Sequence, residues 1–203
     1  MPTYDIILVS WNRGAYLKRT IGSLIQSGAL ETCQRFIIVD NHSLDDEVKM
    51  FLEVMRTYAK TFIITRPDNG GWATAVNDAL GLSRAEYVLI INNDVEFEVG
   101  FIDKMFDIYT HQHGIGILGI WHHTSHSFVG ISNQWFREMD NVPAVGWLIS
   151  KEAMEKVGML NEKGVCLTKG GNGEDTDYVG RMKQAGFLVG VPVRDIGVHL
   201  DGY

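Results

Sequence analysis

The chain has 203 residues, 45% hydrophobic and 21% charged, the balance of one globular domain large enough for a real core. A formal net charge of -7 excludes the basic field of a nucleic-acid binder, though not a nucleotide ligand whose charge a metal offsets. The two cysteines, Cys33 and Cys166, stand as isolated apolar residues, which excludes a disulfide framework or zinc ribbon and suits a reducing compartment.

The first half alternates strand and helix. Asp5-Ile6-Ile7-Leu8-Val9 is a short apolar run, as expected of a strand buried on both faces. Tyr16, Leu17, Ile21, Leu24 and Ile25 then recur at helical spacing. Phe36-Ile37-Ile38-Val39 predicts a second strand, and Val48, Phe51, Leu52 and Met55 the next helix. Phe62-Ile63-Ile64-Thr65 predicts a third strand, broken by Pro67-Asp68-Asn69-Gly70-Gly71 before a helix through Val76, Ala79 and Leu80. Tyr87-Val88-Leu89-Ile90-Ile91 predicts the fourth. A repeating βα pattern implies a mostly parallel sheet with helices on both faces.

The second half is less regular. Gly114 to Trp121 and Ala144 to Ile149 read as strands, and the polar, aromatic stretch between them as a hairpin or mobile loop. Lys151 to Val157 and Asp175 to Ala185 predict helices, and Phe187 to Val191 a late strand. No apolar run reaches the ~18 residues that span a bilayer. The start Met1-Pro2-Thr3-Tyr4-Asp5 lacks the regions of a signal peptide, so a cytoplasmic location is expected, with peripheral membrane association left open.

Ligands of such sheets bind beyond the carboxyl ends of the strands. Three of these ends are polar: Ser10-Trp11-Asn12, Asp40-Asn41 and Asn92-Asn93-Asp94, and they should converge on one crevice. Trp11 offers a flat apolar face to a nucleobase, and Asp40 and Asn41 offer hydrogen bonds to a base or ribose. Their ordinary roles would be a rim tryptophan and a turn. Asn69-Gly70-Gly71-Trp72 through Asn77 places paired glycines before a helix, where the backbone can approach a diphosphate; Ala73 and Ala75 would keep that helix slim beside the ligand.

Asp94 can supply one oxygen to a hard cation whose other ligands come from phosphate, and His199 can add a nitrogen that manganese tolerates. Gly173-Glu174-Asp175-Thr176-Asp177 opens a helix, where acids are common because they complement the dipole. The preceding loop, Lys169-Gly170-Gly171-Asn172, can also carry Asp175 into a site as the base for a hydroxyl. His122, His123 and His126 lack the neighbours of a zinc site and fit a polar loop better. A strand-end acid, a later histidine and a separate acidic pair together suit sugar transfer from a nucleotide donor.

As an ordered set, from Tyr4 to His199, these motifs resemble family-two glycosyltransferases of the GT-A fold, nearest the bacterial rhamnosyltransferase-like subgroup. The resemblance implies an α/β fold with a Rossmann-like, mostly parallel central sheet and a smaller antiparallel acceptor-side portion. One domain would span residues 1–203, with nucleotide-sugar binding up to about residue 95 and acceptor binding beyond it. Ser10, Trp11, Asn12, Asp40, Asn41, Asn69, Gly71, Asn77, Asn93 and Asp94 match the donor-binding segments. Asn92-Asn93-Asp94 stands at the DxD motif, with Asn92 replacing its first acid. Glu174-Asp175-Thr176-Asp177 matches "E-D-x-D", making Asp175 the catalytic base, while Glu174 and Trp147 fall on the acceptor side. Asp94 and His199 would hold Mn2+ or Mg2+.

The implied reaction inverts the anomeric carbon of a UDP- or dTDP-linked sugar, rhamnose being one candidate, at a hydroxyl of a glycan or glycoconjugate. The rivals are a non-catalytic module binding a nucleotide sugar or glycan, and a sugar-phosphate nucleotidyltransferase. The latter would want a Gly-rich basic loop that Ser10-Trp11-Asn12-Arg13-Gly14 does not match.

Overall fold

The computed structural model describes residues 2–120, 127–163 and 173–200. His122, His123, His126, Cys166 and the loop Lys169 to Asn172 lie outside them. The first half forms β1 (Tyr4–Ser10), α1 (Gly14–Gln26), α2 (Ala29–Thr32), β2 (Arg35–Asp40), α3 (Asp46–Met55), β3 (Thr61–Thr65), α4 (Trp72–Leu80) and β4 (Tyr87–Asn92). Then follow β5 (Val95–Phe97), α5 (Phe101–His111), β6 (Ile115–Gly119), β7 (Phe128–Ser132), β8 (Phe136–Met139) and β9 (Gly146–Ser150). The last are α6 (Lys151–Val157), α7 (Glu174–Gln184), β10 (Leu188–Pro192) and β11 (Gly197–His199).

The strands β3-β2-β1-β4 lie side by side and parallel, as the βα alternation requires. All seven residues of β1 are buried, and successive side chains feed opposite faces of the sheet. Ile6 and Leu8 pack with Leu17, Ile21 and Leu24 of α1 and Val48 and Leu52 of α3. Ile7 and Val9 pack with Val76 and Ala79 of α4 and Tyr178 and Met182 of α7. Phe62 stays exposed because β3 is the edge strand. At the far end of β1 the buried Asp5 carboxylate accepts from Ser83 Oγ and from the Arg84 and Ala85 N–H groups, which fixes the turn into β4.

Beyond β4 the sheet changes character. β9 inserts antiparallel between β4 and β6; β10 then runs parallel to β6, and the β7–β8 hairpin hangs antiparallel on β10. Among the described residues this makes nine strands, mostly running one way, with an antiparallel portion on the later side. The polar stretch after Ile120 thus contains a hairpin, and the strand expected from Gly114 starts one residue later because Gly114 turns at φ +80°.

Helix α5 lies in a region for which no element was predicted. Its stripe of Phe101, Ile102, Met105, Phe106 and Ile108 is the signal that marks it. A small separate sheet pairs β5 with β11 in antiparallel register, Val95 opposite His199 and Phe97 opposite Gly197. It returns the late chain to the tip of β4, where the Leu200 N–H donates to the Asp94 carbonyl at 2.8 Å.

Candidate active site

The carboxyl ends of β1, β2 and β4 meet, as expected, but their polar residues divide between scaffold and surface. Asn12 and Arg13 turn the chain out of β1 in the left-handed region, at φ 54° and 59°. The Asn12 Oδ1 accepts from the Leu44 and Asp45 N–H groups at 2.9 and 3.3 Å, while its own N–H donates to Ser43 Oγ at 2.8 Å. Its carbonyl accepts from Asn93 Nδ2 at 2.9 Å. Asn12 therefore stitches the loops after β1, β2 and β4 together. Ser10 is fully buried beneath them.

Asn41 Nδ2 donates to Asn69 Oδ1 at 2.8 Å and to the Gly71 carbonyl at 3.2 Å, and Asn69 Oδ1 also accepts from the Gly71 N–H. These bonds hold the turn into α4, where Gly71 sits at φ +88°, a conformation that suits only glycine. No side chain caps α4 at Gly71, which leaves its N-terminal N–H groups open to an anionic ligand.

One cleft of about 350 Å³ gathers Trp11, Arg13, Asn41, Asn69, Asn93 and Asp94. Trp11 is 53% exposed there, the exposure a stacking platform needs. Asp40 is placed otherwise. Its Oδ1 accepts from the Ser43 N–H at 3.0 Å, and the residue lines an adjacent cleft of about 550 Å³ with His42, Lys49, Arg56 and Arg66.

Asp94 Oδ2 lies 3.3 Å from His199 Nε2 and 3.4 Å from Arg13 Nη1. The other oxygen, Oδ1, is buried without a hydrogen-bond partner among the described residues. An orphaned carboxylate oxygen beside an imidazole fits a hard divalent cation. Among the described residues no set of three or more ligating side chains forms, so such an ion would take its remaining ligands from a bound molecule's oxygens or water. Asn92 does not join this set. Its Oδ1 accepts from Trp72 Nε1 at 2.8 Å.

A second cleft, of about 310 Å³, contains Trp72, Asn92, Ala144, Glu174, Asp175 and His199. Burial pushes the Asp175 carboxyl above the usual aspartate range, opposed by the Thr176 N–H that donates to its Oδ1 at 2.7 Å, with the Glu174 charge adding to the rise. A carboxylate so placed is a stronger base than a solvated one. Asp177 instead pairs with Arg181 Nε at 2.9 Å, one helical turn on, the structural role common for acids in a first turn.

Ser10, Asn12, Asn77 and Trp147 line neither cleft. Asn77 faces inward from α4: its Nδ2 donates to the Leu160 carbonyl at 3.0 Å and Glu162 Oε1 at 2.8 Å, and its Oδ1 accepts from the Leu160 N–H at 3.0 Å. Trp147 is fully buried on β9, where its Nε1 donates to the Pro143 carbonyl at 2.9 Å. It meets Trp72 edge-on at 5.6 Å and stacks on Tyr178 at 6.1 Å. Ala73 and Ala75 also face the core rather than a ligand.

Trp72, Arg13 and the tie between Trp72 and Asn92 went unrecognised in the sequence. The available signals were an aromatic directly after paired glycines and a cation two residues beyond Trp11.

A model of the family described as glycosyl transferase family 2 matches residues 5–164. Over 96 residues, 46% of this chain and 29% of the relative, the sequence is 30% identical to the poly(ribitol-phosphate) beta-N-acetylglucosaminyltransferase TarP of Staphylococcus aureus. The crystal structure of S. aureus TarS superposes with a TM-score of 0.69 at 14% identity, covering 95% of this chain and 58% of that one. The mannosyltransferase PcManGT of Pyrobaculum calidifontis gives 0.69 at 13%, over 96% and 57%. GalNAc-T7 gives 0.77 at 11%, over 100% and 45%.

At these identities the structures speak for the fold alone. The aligned part is under a third of TarP, and the chain spans about half of each of these solved structures. The family match runs from β1 past α6, through the whole parallel half of the sheet and the strand-end cleft it builds. The chain belongs to glycosyl transferase family 2 and has the GT-A fold.

Proposed function

We propose that the chain transfers a sugar from a nucleoside-diphosphate sugar to a hydroxyl of a glycan or glycoconjugate, inverting the anomeric carbon. The observation that carries this reading is the pairing of Asp94 with His199 at 3.3 Å where two clefts meet, with Trp11 across one cleft and Asp175 in the other. The part up to about residue 95 holds the nucleotide in this scheme and the remainder the acceptor, with His199 reaching back to the boundary.

The base stacks on Trp11. The diphosphate lies near the open start of α4, with the Arg13 guanidinium beside Asp94 adding positive charge. A Mn2+ or Mg2+ ion held by Asp94 and His199 would neutralise charge on the departing diphosphate. Asp175 takes the proton of the acceptor hydroxyl as that oxygen forms its bond to the anomeric carbon. The bond from that carbon to the phosphate oxygen breaks on the opposite face, and its electron pair leaves with the nucleoside diphosphate. Attack and departure on opposite faces invert the centre. The work of the protein is placement and electrostatics.

The relatives support the donor class: TarS is solved with UDP and with UDP-GlcNAc, and PcManGT with GDP-Man and Mn2+. UDP is therefore the first nucleotide to test, ahead of dTDP, and rhamnose rests on the sequence resemblance alone. No helix among the described residues is long and apolar enough to cross a membrane. A cytoplasmic location is part of this reading, and the buried free thiol of Cys33 supports it.

The test is a thermal-shift panel of UDP, dTDP, GDP and CDP, each with and without Mn2+, on the protein and its Asp94→Ala variant. Binding to the native state raises the transition by mass action. A Mn2+-dependent rise with one nucleotide that the variant loses is the expected result. No rise with any nucleotide would remove the donor site and leave the fold without this activity.

A further inference from the structure

Trp72 and Asn92 are the residues shared by the linings of the two clefts. In the proposed reaction, on which this inference rests, the diphosphate lies on the Asp94 side and the acceptor on the Asp175 side. The bond that breaks joins the anomeric carbon to the diphosphate and the bond that forms joins it to the acceptor oxygen, so the donor sugar must sit over the boundary, against these two side chains.

Their geometry says what they present. An indole N–H can only donate, so the bond from Trp72 Nε1 identifies the Asn92 atom it meets as the amide oxygen. The amide is thereby locked, with its NH2 end left over. Asn92 Nδ2 has no protein partner among the described residues and is not among the sealed polar atoms.

Trp72 is itself held still. Trp147 meets it edge-on at an interplanar angle of 89°, and Trp147 is fixed by its bond to the Pro143 carbonyl and by its stacking on Tyr178. A donor group held this way spends little entropy on binding.

We infer that Asn92 is a specificity residue for the donor sugar: its Nδ2, locked outward by Trp72, donates a hydrogen bond to an oxygen of the transferred sugar. Asn92 stands where the resembled DxD motif has an acid, and an amide there offers a donor where a carboxylate could only accept. The neutral amide reads a hydroxyl or acetamido oxygen as acceptor, while Trp72 supplies a rigid apolar wall. Trp72 is the positioning residue. Without its N–H the amide is free to turn and offer either end.

The experiment measures, by calorimetry with Mn2+, the affinity of UDP against UDP-glucose, UDP-galactose and UDP-GlcNAc for the protein, Asn92→Asp and Trp72→Phe. The readout is the ratio of sugar-nucleotide to UDP affinity, in which effects on the metal and diphosphate cancel. Asn92→Asp retains an acceptor for the indole but replaces the outward N–H by oxygen. It should lower the ratio for the preferred sugar by about 3- to 10-fold, the size of one hydrogen bond. Trp72→Phe should lower it in the same direction and flatten the ranking among the three sugars.

Equal losses for UDP and UDP-sugars would place Asn92 on the phosphate and overturn the inference, as would an unchanged ratio in both variants. If the unaltered protein binds none of the four, the donor reading itself fails, an outcome the first titration distinguishes from the other two.

Discussion

Asn77 makes three hydrogen bonds inside the protein, two to the backbone of Leu160 and one to Glu162, so replacing it with alanine tests whether it braces the fold or contacts the nucleotide. A buried hydrogen bond contributes roughly 0.5–1.5 kcal/mol net, and a buried group left without its partner costs about 1–3 kcal/mol. Asn77 and Leu160 are both buried, at 6% and 4% exposure, so the Leu160 N–H and carbonyl gain little water when the amide goes. Asn77→Ala should therefore destabilise the domain by about 2–4 kcal/mol. For 203 residues, an unfolding entropy near 2.1 cal/mol/K per residue converts this to a fall in Tm of roughly 5–9 °C. Thermal and urea denaturation measure the loss, and calorimetry with UDP and Mn2+ on the same sample measures affinity. Stability should fall with affinity within twofold of the parent. An unchanged Tm with a tenfold weaker UDP would show that the side chain serves the ligand and would refute the reasoning.

Asp175→Asn keeps an oxygen for the Thr176 N–H but cannot accept a proton, so turnover should fall about 100- to 10,000-fold with donor affinity retained. Burial raises the Asp175 pKa, so its carboxylate is lost as pH falls through a value above the ordinary aspartate one. The acid limb of kcat/KM should sit correspondingly high and vanish in the variant; a limb that persists would point to another base. The linkage to stability has the opposite sense. A raised folded-state pKa contributes stability fully present below the unfolded value and lost as pH rises through the folded one, so in urea titrations the parent should match the neutral Asn variant most closely at low pH and fall below it as pH rises through the folded value. Trp147→Ala removes a fully buried indole and should cost roughly 3–5 kcal/mol in urea unfolding. Unchanged stability with a weaker acceptor KM would make Trp147 an acceptor contact instead.

The elements that β-sheet burial and helix periodicity write into neighbouring residues were readable without coordinates. β1, β2 and β4 are continuous apolar runs because both their faces are covered, and α1 and α3 repeat their apolar residues at the spacing of one helix face. That local signal sufficed for the parallel half of the sheet and for the strand ends where a ligand would sit. Trp11, Asp94, Asp175 and His199, which the structure places in the two clefts, stood out instead by their chemistry and by the ordered motifs they share with the resembled family. What each polar side chain does there depends on partners distant in sequence. Asn69 and Asn77 both look like turn or ligand amides, yet one orders the cleft and the other is consumed by Leu160 in a segment after α6. Asn92 reads as a lost metal ligand until the indole of Trp72 shows which end of its amide is exposed. His199 meets Asp94 only because β11 pairs with β5. Periodicity records which residues are buried; tertiary structure alone decides which hydrogen-bonding groups the protein uses up and which it leaves for a ligand.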